Sequence, residues 1–468
     1  MIAIGEEFFL NLLFYAPLLF IFTNVAVFVI STLRPRNFPP GPRGIPGLGN
    51  LLQIDKKFPF QTYGAWFNAR GQDSPVGFKA ANNNLVVLNS ARLVHETFDK
   101  RGAVYSDRPY LYINNEWITG NDLKFVLVEN AGPWVTRWRK NLTYMLNPAA
   151  LKRLTPAYEA EAARFVVKVL EAGPNAKGEG MANLLLSYIL SIQCLGLCAK
   201  RPEDLGGDLA NIQELRYAQQ DWISMVTPGA GDVFPPLRYL PSALAPWKDK
   251  ALRQRVRSEI LEVTGGVPPR ADHIPSLKYL EACFYEFLRW RPPAPQAAAH
   301  ATPKDEIFEG YRIPKGSAVI ANVWHLHHSE ADYEAPNDFI PERWLRHPFG
   351  MRLDAEHDST RLETQGRRRT YAFGAGRRMC PGMESAKKNL LLGMAKFLWA
   401  FEVLPPDGQD IDLSMETGYI SDLALRPKST DVVVKLRDGV SREDVYNHYY
   451  ETYKEEAEVM GWANNQYR

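Results

Sequence analysis

Phe373-Gly-Ala-Gly376-Arg-Arg378-Met-Cys380-Pro-Gly382 sets a cysteine between a glycine-rich loop and a helical pattern that runs from about Pro381 to Phe401. The dipole and free N–H groups at a helix amino terminus favour a thiolate over a thiol. A thiolate in that position can ligate haem iron. Gly376 and Gly382 would let backbone approach the sulfur and a porphyrin closely. Phe373 would shield the sulfur, and Arg378 would pair with a haem propionate. A phosphate-cradling loop would need Lys-Ser/Thr or a dinucleotide-type spacing after the glycines, and neither follows. Taken alone, the stretch is also compatible with a plain turn bearing a free cysteine.

Upstream, Leu277, Leu280, Phe284, Phe287 and Leu288 recur at helical spacing from Lys278 to Trp290. Glu286 and Arg289, three apart, share a face of that helix. On their own they would read as a surface ion pair of little worth. Phe339-Ile-Pro341-Glu342-Arg343-Trp344 then supplies a second arginine, Arg343, that could close a charge triad. Such a triad survives burial only when fully paired.

These elements, in this order, resemble the cytochrome P450 family: an E-x-x-R pair, a P-E-R-[FW] element and an F-x-x-G-x-R-x-C-x-G haem loop. Ala321-Asn-Val-Trp-His-Leu-His-His328 is similar to the family as well. The likeness runs from the proline-rich stretch to about residue 440, and in detail is nearest to microsomal fungal members acting on secondary metabolites. It implies a mainly α fold with minor β, haem as cofactor with Cys380 as axial ligand to the iron, and a structural role for Glu286, Arg289 and Arg343. His300 would reach a haem propionate, and the residues before it, from Pro295, would line the substrate pocket. The family's propionate-contacting helix falls at Trp134 to Lys140. There Trp134, Trp138 and Arg139 are candidates, although Leu142 stands where an arginine is expected. His325, His327 and His328 could suggest a metal, but the family places them in a structural segment. The implied activity is monooxygenation of an apolar small molecule, with electrons from NADPH–cytochrome P450 reductase.

One family element has no counterpart. Members carry an A-G-x-[DE]-T-like stretch on a long central helix that relays protons during oxygen activation. Ala230-Gly231-Asp232-Val233 is the nearest string, but Pro228, Pro235 and Pro236 bracket it and forbid a long helix. Thr264-Gly265-Gly266 lies at a turn before Pro268-Pro269. Ala245-Pro246-Trp247-Lys248 resembles the segment before the central helix and Arg253 to Val263 the segment after it. Roughly 70–80 residues are missing between them, within ordinary boundary error. The expectation is a deletion near 247–253, from a faulty gene model or a truncated product. The alternative functions are then an inactive, membrane-anchored haem-binding relative, or a haem-thiolate isomerase or dehydratase that needs no such relay.

The amino terminus is distinct. Phe8 to Ile30 is an apolar run interrupted only by Asn11, Pro17, Thr23 and Asn24, and a bilayer needs about 20 such residues. Glu6 and Glu7 precede it; Arg34 and Arg36 follow it. Positive residues stay cytosolic, so the amino terminus is expected in the lumen of the endoplasmic reticulum and the body in the cytosol. The expected organisation is a single-pass anchor over 1–33, a proline-rich hinge over 34–50 acting as a stiff spacer, and one haem domain over 51–468. The 468 residues are 46% hydrophobic and 23% charged, with a net charge of +2, which gives no field suited to nucleic acid. Four cysteines do not make a disulfide framework.

Overall fold

The computed structural model describes residues 19, 22–109, 129–173, 179–205, 250–353, 366–405, 412, 414–421, 424–428 and 432–460. Most of the expected anchor, the Ala230–Val233 string and the Ala245–Lys248 segment lie outside the described residues.

Of the anchor, helix α1 (Phe22–Ser31) is described, with Phe22, Val25, Val27, Phe28 and Ile30 all exposed. The proline-rich stretch that follows is not a free spacer. Gly77 N–H donates to Pro40 O at 2.9 Å, Phe38 is buried, and a Cβ on Gly41 would sit 2.1 Å from Gly77 O. Prolines keep this segment extended and leave its carbonyls open, so it binds along a strand rather than standing away from it.

Helix α2 (Pro59–Asn68) leads into a hairpin of β1 (Val76–Ala80) and β2 (Asn83–Leu88). The run Asn84-Leu-Val-Val-Leu-Asn89 reads from sequence as a short strand and falls on β2, and Ser90 caps the next helix, α3 (Ala91–Val94), by accepting from Leu93 N–H at 3.2 Å. The sequence reads as one helix from Ala91 to Lys100, but after Val94 it widens into a π turn, His95–Asp99. Helix α4 (Pro133–Met145) follows. The spacing over about 151–171 reads from sequence as one long helix, but the structure has two, α5 (Pro148–Arg153) and α6 (Thr155–Ala172), because Pro156 lacks the N–H needed to carry one into the other. Helix α7 (Glu179–Cys198) contains Gly180–Leu197, long and apolar enough to cross a membrane. Its Met181, Tyr188 and Ile192 nevertheless lie in the main core.

Helix α8 (Lys250–Thr264) ends where Gly265 and Gly266 take φ of +65° and +89°, as a helix stop requires. Helix α9 (Lys278–Trp290) has the expected limits. Strands β3 (His300–Ala301), β4 (Glu306–Phe308), β5 (Tyr311–Ile313) and β6 (Ala318–Ala321) precede two short helices, α10 (Val323–His328) and α11 (Arg343–Arg346). The sheet runs β1-β2-β6-β3, with β2 and β6 parallel, and β4 pairs with β5. After the cysteine loop come α12 (Met383–Ala400), β7 (Phe401–Leu404), β8 (Tyr419–Ser421), β9 (Leu425–Pro427) and β10 (Val433–Leu436).

The last helix, α13 (Arg442–Met460), was not foreseen. Its buried Glu456 pairs with Arg201 at 2.5 Å, and Arg201 also holds Glu161 of α6 at 2.6 Å. One large core joins α6, α7, α8, α9 and α12, and α12 carries it to the foot of the Cys380 loop.

Candidate active site

The loop before α12 is shaped by backbone contacts. Cys380 N–H donates to Phe373 O at 2.9 Å and Met379 N–H to Gly376 O at 3.1 Å, closing a tight turn that leaves Cys380 exposed. Gly374 and Gly376 take φ of +78° and +66°, conformations that glycine adopts without strain. Gly382 is the cap of α12, and a Cβ there would sit 3.8 Å from Cys380 Sγ. Phe373 packs, half-buried, against the main core. The loop is moored to the π turn: Gly376 N–H donates to Asp99 Oδ1 at 2.8 Å, and Arg368 pairs with the same oxygen at 2.6 Å.

Cationic side chains converge beside this loop. Arg139 of α4 donates to Met379 O at 2.7 Å, next to Cys380. Arg378 donates to Ser106 O and Glu129 O at 3.0 and 2.9 Å. His300 is buried, stacked on Phe98 with ring centroids 4.0 Å apart, and bonded through Nδ1 to Tyr105 O. Burial first, then the Arg108 charge, pushes it down to about 3, so it is neutral. Trp138 is half-buried and stacks on Trp134 at 6.5 Å.

Arg108 was missed in the sequence, where only its place before Pro109 marks it. It is 7% exposed, donates to Ala298 O and Ala299 O, and leaves Nε buried without a hydrogen-bond partner among the described residues. Burial, then the charges of Arg378 and Arg139, pushes it down to about 9. A buried guanidinium beside two others, held by neutral carbonyls, is poorly stabilised unless an anion joins it. A porphyrin with two propionates, its iron facing a thiolate at Cys380, fits this arrangement of donors.

The triad is assembled between α9 and α11. Glu286 and Arg289 make two parallel bonds of 2.8 and 2.9 Å, and Arg343 Nε reaches Glu286 Oε1 at 3.2 Å. Trp344 Nε1 and Ile340 N–H also donate to Glu286, at 2.9 and 2.8 Å. Arg289 donates to the carbonyls of His327, Pro336 and Asp338. All three charges are at most 2% exposed. The histidines of α10 serve local packing: His327 Nε2 accepts from Tyr371 N–H at 3.0 Å, His328 Nδ1 meets Trp324 O, and the ring of His325 lies against Phe67.

The Cytochrome P450 family model matches residues 39–253 and 244–434. The chain belongs to the cytochrome P450 family. It is 44% identical to the cytochrome P450 monooxygenase grgG of a Penicillium species, over 97% of each chain. It is 26% identical to the cytochrome P450 monooxygenase fogE of Aspergillus ruber, over 79% of this chain and 81% of that one. A solved zebrafish cytochrome P450 with abiraterone shares the fold, with TM-score 0.60 and 18% identity over 81% of this chain and all of that one. This P450 is therefore a haem-thiolate monooxygenase by family, mainly α with minor sheet, acting on a small molecule with electrons from a redox partner. The alignment to the Penicillium relative spans 544 positions. Since 97% of 468 residues is about 454, about 90 of those positions hold no residue of this P450.

Proposed function

We propose that this P450 oxidises an apolar small molecule of fungal secondary metabolism, with haem held by Cys380. The observation that carries the proposal is the exposed Cys380 together with the buried Arg108, which meets no carboxylate among the described residues. When bound, the haem supplies dioxygen activation at a thiolate-ligated iron. The chain's own residues hold and shield it. Phe373, Gly376 and Gly382 form the loop under the sulfur, while Arg378, Arg139, His300 and Trp138, together with Arg108, take the propionates. Glu286, Arg289 and Arg343 fix the frame behind the loop. The reductase is NADPH–cytochrome P450 reductase, and the protein sits in the endoplasmic reticulum membrane by a single amino-terminal span, with its body in the cytosol.

A second proposal concerns activity. The family match divides at 244–253, and the relative carries about 90 positions that this P450 lacks. Both support a deletion near 247–253 that removes the central proton-relaying helix. Loss of a positioned acid and alcohol lowers proton transfer by about 10²–10⁴-fold. An open haem face also admits water, which diverts reduced oxygen from the substrate. The test compares this form with a chimera carrying the corresponding segment of the Penicillium relative, each with reductase and one substrate panel. The proposal expects turnover per haem in the chimera alone; equal turnover in both would sink it.

A further inference from the structure

Where α1 meets the body there is a cavity of about 250 Å³, lined among others by Leu33, Arg34, Arg43, Ile45, Phe78 and Lys79. Its lining contains three cations and no carboxylate. Lys79 is 4% exposed, and among the described residues its ammonium meets only neutral oxygens, Asn82 O at 2.6 Å and Asn84 Oδ1 at 2.9 Å. Arg34 likewise donates, among the described residues, only to the carbonyls of Gly41, Pro39 and Gly77. Arg43 is exposed, and among the described residues its guanidinium has no partner. Two more cations stand close by. Arg36 is exposed two residues from Arg34, and Arg70 is near enough for its charge, after burial, to lower the pKa of Arg34. Three exposed arginines elsewhere do pair with carboxylates: Arg92 with Asp73 at 2.6 Å, Arg255 with Glu342 at 2.5 Å and Arg312 with Asp305 at 2.6 Å.

Apolar side chains surround the cavity. Leu33 and Ile45 line it and are exposed; Leu33 directly follows α1 in the chain, and Leu48, Leu51 and Leu52, a few residues beyond Ile45, are exposed too, Leu52 at 68%. A cationic cleft rimmed by exposed leucines and continuous with an apolar helix matches the boundary between headgroups and acyl chains. We propose that this cleft binds the phosphate of an anionic phospholipid, with Arg43, Arg34 and Lys79 facing the phosphate and the leucine rim dipping into the acyl region. The inference rests on reading the amino-terminal run as a membrane anchor. The bound lipid would fix the tilt of the body, because the cleft is formed jointly by the hinge and β1.

The test uses the full chain reconstituted in phosphatidylcholine vesicles with a minor share of phosphatidylserine. Protein is withdrawn with its adjoining lipid, and the lipid is counted by mass spectrometry. The expected result is phosphatidylserine enriched above its bulk share, weakened roughly fivefold for each cation removed. Arg43→Glu and Arg36→Glu should lower the enrichment, while Arg442→Glu, exposed on α13, should not. High salt should lower it for the unaltered chain, a readout independent of any variant. Phosphatidylserine at its bulk share in the unaltered chain overturns the site. So does displacement of the lipid by millimolar inorganic phosphate, which would mark a site for free anions. Release of the protein by alkaline carbonate would overturn the anchor reading instead. Preference of that released protein for phosphatidylserine over phosphatidylcholine vesicles would then still decide the site.

Discussion

The backbone N–H of Gly376 donates to Asp99 Oδ1 at 2.8 Å, so the cysteine loop hangs from a π turn 277 residues earlier in the chain. Gly376 also presses on Phe98, where a Cβ would lie 2.3 Å from the carbonyl oxygen, and its φ is +66°. Gly376→Ala is therefore expected to cost at least about 1–2 kcal/mol from the left-handed backbone alone. The clash with a carbonyl adds to that. The measurement is the haem-loaded fraction after purification, which should fall sharply while α-helical content stays near normal. Full haem loading would show that the approach is not needed.

Asp99 gives this mooring a pH dependence. Burial raises its pKa, but the hydrogen bonds from His95 and Arg368 outweigh burial and hold it below its ordinary 3.8. A carboxyl with a depressed folded pKa contributes stability that is complete above the unfolded value and lost as pH falls through the folded one. Haem retention should therefore hold above about pH 4 and weaken below it. Asp99→Asn should show weaker retention at neutral pH and a flatter acid limb. An unchanged acid limb in that variant would remove Asp99 from the account.

Arg108 should act in opposite directions on the two forms of the protein. Without haem it is a buried charge held, among the described residues, by carbonyls alone, so Arg108→Met should leave the apoprotein as stable as before or stabler. With haem it would lose a charge-assisted bond, worth about 1.5–3 kcal/mol. Haem transfer to apomyoglobin should then run roughly ten times faster or more. Apoprotein destabilised by the substitution, with haem transfer unaltered, would make Arg108 a packing residue.

The triad is expected to fail structurally. Removing Arg289 leaves Glu286, which is fully buried, without its main partner, at a cost of about 3–5 kcal/mol. Arg289→Ala should lose soluble, haem-loaded protein, and Arg289→Lys should recover little, because one ammonium cannot reach Glu286 and three carbonyls together. Normal loading with slowed turnover would give the triad a chemical role.

Short-range chemistry explains which features the sequence disclosed. Helix α9 was legible to the residue because its apolar spacing is regular, and strand β2 because four apolar residues sit between asparagines. The Cys380 loop was legible because glycine, arginine and cysteine each have a distinct task there. Arg108 was not, since its role depends on Arg139 and Arg378, which lie 31 and 270 residues away in the chain. Helix α13 was missed for a related reason. Its buried side includes His448, Thr452 and Glu456, polar residues that mask the apolar period; Thr452 bonds back to carbonyls of its own helix, while His448 and Glu456 find partners far off in the chain, Lys396 and Arg201. The split of α5 from α6 turns on one proline inside an otherwise continuous helical pattern.

The central claim is that Cys380 is the haem ligand, and the carbon monoxide difference spectrum of the reduced protein tests it most directly. The unaltered chain should show the long-wavelength band of a thiolate-ligated haem. Cys380→Ala should abolish that band, and Cys380→His should move it to the position of a histidine-ligated haem. A thiolate band that persists unchanged in Cys380→Ala would contradict the account.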